Sequence, residues 1–149
     1  MKILVPVDGS IHSMEALKIG ADYVKMKNAE IYAISVVPYI GGMDDHEISP
    51  ARRERHMDGM EKLADEAVKK ACGLMSAQNV TLSCSKTVIT SVSVPDAIID
   101  FAESENIDLI VMGSRGLGAS SRIKMGSVAT QVLKYSPCSV YVVKLPSKE

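Results

Sequence analysis

Short apolar runs alternate along this chain with longer segments in which apolar residues recur every three or four positions. The short runs are rich in Val and Ile, as strands are, and cover residues 2–7, 31–37, 107–112 and 139–144. The longer segments are typical of amphipathic helices and cover residues 11–26, 50–75, 95–105 and 127–135. The pattern therefore predicts strands and helices that alternate in sequence.

Residues 80–90 follow a third pattern, in which apolar and polar residues alternate. Val80, Leu82 and Cys84 take the apolar positions, and Ser and Thr residues stand between and beside them. Such alternation is typical of a strand with one covered face. We therefore expect a half-buried strand over residues 80–90, at an edge of the sheet.

The alternation of strands and helices predicts a doubly wound α/β fold, with one five-stranded parallel sheet and helices on both faces. Each right-handed crossover between parallel strands places its helix on one face of the sheet. Ligands of such sheets bind beyond the carboxyl ends of the strands, where the strand order reverses. Asp8 follows the first predicted strand and Gly113 the fourth, so we expect them to flank the ligand crevice.

Composition narrows the class of protein. With 149 residues, 46% of them apolar, the chain can form one complete core, and we expect a single domain over residues 1–149. The formal net charge of −1 lacks the excess of Lys and Arg that binding long nucleic acids requires, so no nucleic acid partner is expected. The apolar runs are too short for a signal peptide or a membrane span, which predicts a soluble, cytoplasmic protein with no membrane partner.

Cysteine and histidine are spaced in ways that argue against disulfides and metal sites. Cys72, Cys84 and Cys138 are far apart and outside any CxxC spacing, and we expect reduced, mostly buried thiols. The three histidines also lie apart, with no second His or Cys at metal-ligand spacing. No metal site is therefore predicted.

The segment between the fourth strand and the last helix has the composition of an anion-binding loop. Residues 113–127 read Gly-Ser-Arg-Gly-Leu-Gly-Ala-Ser-Ser-Arg-Ile-Lys-Met-Gly-Ser. Glycines let backbone N–H groups approach an anion closely, and the helix that follows directs its unpaired N–H groups to the same place. Arg115, Arg122 and Lys124 add positive charge, either toward a phosphate or simply into solvent. If its spacing is left aside, a glycine-rich loop between a strand and a helix is usually only a tight connection.

The spacing of this loop is more specific than its composition. Gly113, two residues, Gly116, nine residues, then Gly126 and Ser127 resembles the nucleotide loop of ATP-binding universal stress proteins. The similarity extends over nearly the whole chain. Residues 5–10, Val-Pro-Val-Asp-Gly-Ser, look like the opening of that family, residues 108–114 like its fourth strand and residues 137–143 like its last.

The resemblance implies an ATP-binding regulatory or stress-response protein. It also implies the Rossmann-like fold of the adenine nucleotide alpha hydrolases, with strand order 3-2-1-4-5. The ligand would be ATP, with ADP and AMP as alternatives, and Mg²⁺ could accompany it. Asp8 would lie near the ribose or adenine and Val36 against adenine. The residues implied at the nucleotide are Pro6, Val7, Asp8, Ser10, Val36, Met112, Gly113, Ser114, Arg115, Gly116, Leu117, Gly118, Ala119, Gly126, Ser127 and Val128.

The resemblance also implies a homodimer, because members of the family typically pair their fifth strands across a dimer axis. Val140, Tyr141, Val142 and Val143 are suited to this pairing. An exposed edge strand of this character otherwise favours aggregation.

Several of these residues have an alternative role. Asp8 could cap the helix that follows it, and Ser10 competes for that position. Ser127 could cap the last helix, with the same geometry that a phosphate contact uses.

The sequence predicts no catalytic residue. A P-loop would end in Gly-Lys-Ser or Gly-Lys-Thr, whereas Lys124 stands two residues before Gly126. A phosphorelay receiver would need an acidic acceptor after the third strand, and residues 87–94 contain no acid. We expect ATP binding with slow or no hydrolysis. The alternatives are a nucleotide-independent dimeric interaction module and a weak adenine-nucleotide hydrolase that uses Asp8 and Mg²⁺.

Overall fold

The structure is a computed structural model that describes residues 1–39, 49–116, 122 and 125–146. Its strands and helices alternate from the first element to the last. In chain order they are β1 (Lys2–Pro6), α1 (Ile11–Lys27), β2 (Glu30–Pro38), α2 (Pro50–Ala77), β3 (Cys84–Thr90), α3 (Val94–Ser104), β4 (Leu109–Gly113), α4 (Ser127–Tyr135) and β5 (Ser139–Val143).

The five strands form one parallel sheet in the order β3-β2-β1-β4-β5. This confirms the predicted doubly wound fold and its strand order. Strand order reverses between β1 and β4, because the chain moves outward from β1 to β3 and then returns across the sheet to β4. The point of reversal, called the switch point below, therefore lies between the carboxyl ends of β1 and β4. Asp8 follows β1 by two residues, and Gly113 is the last residue of β4.

Successive residues of the strands contribute side chains alternately to two separate cores, one on each face of the sheet. Ile3 and Val5 of β1 pack with Leu17 of α1 and with Ala67 and Ala71 of α2. Leu4, the residue between them, packs on the other face, in a core that also contains Ile98 of α3 and Val132 of α4. Both faces of β1 are thus covered by helices, as a central parallel strand requires.

Serine side chains begin the first three helices. The hydroxyls of Ser10, Ser49 and Ser93 accept hydrogen bonds from the backbone N–H three residues later, at the starts of α1, α2 and α3. Each bond satisfies one of the N–H groups that a helix start leaves unpaired. The described helices do not include one with the length and hydropathy of a membrane span.

The third strand is half-buried at an edge of the sheet, as expected, but its predicted start is wrong, and so is the expected burial of the cysteines. The strand begins at Cys84, not at residue 80. Asn79 takes a left-handed conformation after α2, and the Val80 N–H donates to the Met75 carbonyl, so Val80 is buried by a turn against α2. The three cysteines are free, but they are half-buried rather than enclosed.

Candidate functional site

A cavity of about 710 Å³ opens at the carboxyl ends of β1, β2 and β4. Most residues that the sequence assigned to a nucleotide lie in its wall. These are Pro6, Val7, Asp8, Val36, Met112, Gly113, Ser114, Arg115, Gly116, Gly126, Ser127 and Val128. Ser10 does not line the cavity, and Leu117, Gly118 and Ala119 lie outside the described residues.

The turn after β1 fixes the position of Asp8. Its Oδ1 atom accepts a hydrogen bond from the Ser10 N–H at 2.9 Å, and its own N–H donates to the Ser13 hydroxyl at 3.4 Å. Gly9 makes the turn with a φ of +84°, in the left-handed region that glycine adopts without strain. Of the two candidate caps, Ser10 therefore caps α1, and the Asp8 carboxylate remains in the cavity wall.

The loop after β4 passes directly beside this carboxylate. A Cβ atom built on Gly116 would lie 2.6 Å from Oδ2 of Asp8. A side chain at this position would displace the Asp8 carboxylate from its place in the cavity wall. The structure therefore brings Asp8 and Gly116 together, at the switch point where the sequence placed the crevice.

The two ends of the β4–α4 loop are joined at the base of the cavity. The Gly126 N–H donates to the Ser114 carbonyl at 2.6 Å, and the Ser114 N–H donates to the Val143 carbonyl of β5 at 2.9 Å. Gly113 lies against α1, where an added Cβ would be 2.6 Å from Cβ of His12. The wall that holds Gly113 and Ser114 is thus fixed by β5 on one side and by α1 on the other.

Helix α4 begins at the cavity without a side-chain cap. Its N-cap residue is Gly126, which has no side chain, and Ser127 is the first residue of the helix. The predicted capping role of Ser127 is therefore wrong. Ser127, Val128 and Ala129 line the cavity, and the first N–H groups of a helix have no partner inside the helix. The positive end of the helix dipole lies at the same place, so this wall suits an anion.

The opposite part of the wall is apolar. Val36 of β2 and Met112 of β4 line it together with Val94 and Ile98 of α3. Val94 and Ile98 were not predicted, because their four-residue spacing indicates only an apolar helix face. Ala129 of α4 was missed for the same reason, and Met125, which precedes α4, was also missed. Ser13 and Ser35 were also missed, although a serine inside the apolar run of β2 is a visible departure from the pattern.

Charged groups are few in the described wall. Asp8 is the acidic residue among the lining positions and Arg115 the basic one. Over the described part of the chain, no group of three or more His, Cys, Asp or Glu side chains is arranged to hold a metal ion.

Comparison with known proteins identifies the family. The profile described as the Universal stress protein family matches residues 1–144. The chain belongs to this family. A universal stress protein of Methanocaldococcus jannaschii is 36% identical over 153 residues, which span 99% of this chain and 84% of that protein.

Solved structures of the family share the fold. The universal stress protein UspA of Lactobacillus plantarum superposes with a TM-score of 0.79 at 24% identity, over 97% of each chain. The universal stress protein of Archaeoglobus fulgidus in complex with dAMP has a TM-score of 0.71 at 23% identity, over 97% of this chain and 98% of that one. Two further family structures, with TM-scores of 0.69 and 0.67, are complexes with cAMP and with AMP. Adenine nucleotides are thus ligands of several family members.

Proposed function

We propose that this universal stress protein is a cytoplasmic regulatory protein that binds ATP in the cavity at the switch point. The observation that carries the proposal is that one cavity is lined by Asp8, by residues 113–116 at and after the end of β4, and by the uncapped start of α4. Sugar hydroxyls, phosphates and an apolar base each find a suitable wall there. The adenine nucleotides bound by other family members support the same ligand class.

Each wall has a distinct task under this proposal. The N–H groups of Ser127 and Val128, in the first turn of α4, would hold phosphate oxygens, with Arg115 as a nearby positive charge. The Asp8 carboxylate would accept hydrogen bonds from ribose hydroxyls. Val36, Met112 and Ile98 would pack against the base, which is flat and largely apolar on its faces. ADP and AMP would use the same contacts with fewer phosphates.

Rapid hydrolysis is not part of the proposal. Among the described lining residues, Asp8 is the one carboxylate, and histidine and lysine are absent. General acid–base catalysis needs a group that can take a proton and another that can give one. The described part of the wall lacks such a pair. Under the proposal, binding of the nucleotide, and not its hydrolysis, regulates the protein.

Nucleotide-free protein should be stabilised by ATP and Mg²⁺. A ligand present at 100 times its dissociation constant adds roughly 2.7 kcal/mol to the free energy of unfolding, which a thermal-shift assay detects easily. Titration calorimetry should show saturable heat, and mass spectrometry of denatured protein should reveal co-purified adenine nucleotide. Folded, nucleotide-free protein that gives neither heat nor a thermal shift with ATP would refute the proposal.

We further propose a homodimer that forms through β5. This strand is one edge of the sheet, and its residue Tyr141 is 42% exposed. Val140 and Val142 are half-buried on the face that carries α4. Antiparallel pairing with β5 of a second copy would satisfy the free edge of both sheets.

Replacing Tyr141 with aspartate should convert the dimer into a monomer. The change places two like charges close to each other across the two-fold axis, which opposes pairing of the strands. Sedimentation or light scattering gives the mass of the assembly. Tyr39→Asp is the matched control, because Tyr39 is also exposed but follows β2, near the other edge of the sheet. A Tyr141→Asp protein that stays dimeric would move the interface away from β5.

A further inference from the structure

The side chain of Ser13, in the first turn of α1, lies inside the turn that connects β1 to this helix. Its hydroxyl donates a hydrogen bond to the Ser10 carbonyl at 3.0 Å. The same oxygen accepts hydrogen bonds from the Asp8 N–H and from the Ser10 hydroxyl, each at 3.4 Å. Ser13 therefore joins the start of the helix to Asp8.

The hydrogen bonds of the Ser13 hydroxyl are all made within residues 8–13. A hydroxyl has one hydrogen to donate and two lone pairs that accept. The three bonds to Asp8 and Ser10 use this capacity completely. Ser13 lines the cavity but is only 4% exposed. Any effect of its hydroxyl on a ligand therefore passes through the residues that it holds.

Ser13 stands at a helix position where another side chain would compete with Asp8. It is the third residue of α1, after the N-cap Ser10. In a capping box, Glu or Gln at this position reaches back and accepts from the N–H of the N-cap residue. Here the Ser10 N–H donates instead to Oδ1 of Asp8 at 2.9 Å, and the Ser13 hydroxyl accepts from the Asp8 N–H. Asp8 is thus held by its carboxylate and by its backbone.

This arrangement determines where the Asp8 carboxylate lies in the cavity wall. Its Oδ2 atom is on the side of the loop after β4, where a Cβ built on Gly116 would be 2.6 Å away. Hydrogen bonds need donor–acceptor distances within a few tenths of an ångström of about 2.9 Å. A small displacement of Asp8 would therefore weaken any hydrogen bond between its carboxylate and a ligand.

We propose that Ser13 is a positioning residue of the nucleotide site, which acts by holding Asp8 where its carboxylate reaches the ribose hydroxyls. The proposal rests on the proposed function, in which Asp8 contacts the ribose. Ser13 itself does not touch the nucleotide. Its hydroxyl contributes to affinity only as long as residue 8 carries a carboxylate.

Replacing Ser13 with alanine should weaken ATP binding while the protein stays folded. If the displaced carboxylate loses one hydrogen bond to the nucleotide, the affinity falls roughly 2- to 12-fold. Alanine favours a helix, and the Ser13 N–H that bonds to the Ser10 hydroxyl is part of the backbone and remains. Ser13→Cys is a second variant of similar volume, and it should also weaken binding because a thiol is a weak donor and acceptor.

A double-mutant cycle with Asp8→Ala separates positioning from a general structural effect. In the Asp8→Ala protein, Ser13→Ala should change the ATP affinity by less than about 2-fold, because the carboxylate that Ser13 positions is gone. Calorimetry measures the affinities, and thermal shift at high ATP concentration extends the measurement to weak binding. Ser104→Ala is the matched control, because its hydroxyl also donates to a helix carbonyl but is exposed at the end of α3.

The outcomes of this cycle are distinct. The expected result is a loss of ATP affinity in both Ser13 variants of the parent, with no further loss in the Asp8→Ala background and none in Ser104→Ala. Unchanged affinity in both Ser13 variants would overturn the role of Ser13 and leave the proposed function standing. Equal losses with and without Asp8 would also overturn it, since Ser13 would then act independently of the carboxylate. A parent protein that does not bind ATP would refute the proposed function itself.

Discussion

Replacing Gly113 with alanine should lower the free energy of unfolding by roughly 1–3 kcal/mol. The added Cβ would lie 2.6 Å from Cβ of His12 and 2.9 Å from its carbonyl carbon. These atoms belong to the first turn of α1 and cannot move aside like the end of a flexible side chain. Either α1 must shift from the sheet or β4 must bend at its carboxyl end. Denaturation by urea, followed by circular dichroism, measures the loss.

Gly73→Ala is the matched control for this change. Gly73 lies inside α2, and an added Cβ would meet nothing within 4 Å. Alanine favours a helix over glycine by up to about 1 kcal/mol, so this variant should be more stable than the parent. The same chemical substitution is thus expected to act with opposite signs at two positions. A Gly113→Ala protein as stable as the parent would show that α1 is not held against β4 as described.

Replacing Gly116 with valine should lower the affinity for ATP at least tenfold, or about 1.4 kcal/mol, and leave the fold intact. The new Cβ would lie 2.6 Å from Oδ2 of Asp8, which is the end of a side chain and can rotate away. Gly116 itself is exposed at the cavity rim. The fold therefore tolerates the change, but Asp8 leaves its position and the valine occupies ligand space. Calorimetry with ATP measures the affinity, and thermal unfolding without nucleotide measures the fold.

Gly116→Ala provides a graded comparison, because it introduces the Cβ without the two methyl groups of valine. We expect it to retain more affinity than Gly116→Val. Normal ATP binding by both variants would show that the wall formed by Asp8 and Gly116 does not contact the nucleotide. Loss of folding in either variant would instead assign Gly116 a structural role like that of Gly113.

The alternation of strands and helices could be predicted from local patterns, whereas most residues of the cavity wall came from the resemblance to universal stress proteins. Strand β4 is an apolar run that ends at a glycine, and parallel strands bring their carboxyl ends to one edge. Once the order of strands is known, Asp8 and Gly116 must lie near each other. The motif spacing selected Gly113, Gly116 and Gly126 from the ten glycines of the chain, and all three line the cavity.

The remaining features depend on packing that has no local pattern. Val94 and Ile98 face the cavity, but their spacing is the same as that of apolar residues in an ordinary core. Val80 is apolar because a turn buries it against α2, and in the sequence this looks the same as a buried position of a strand. The N-cap of α4 lies one residue earlier than Ser127, the cap that the sequence suggested. Gly126 occupies this position, and only the path of the backbone decides between the two residues.

The start of α4 differs from the other helix starts because no side chain of the protein caps it. Serine caps α1, α2 and α3, whereas α4 begins at a glycine, which leaves its first N–H groups available. A side-chain cap contributes typically about 1 kcal/mol to a helix. A phosphate bound at Gly126 would supply this missing contribution from outside the chain. The nucleotide would then complete the secondary structure of the protein, as a removable cap on its last helix.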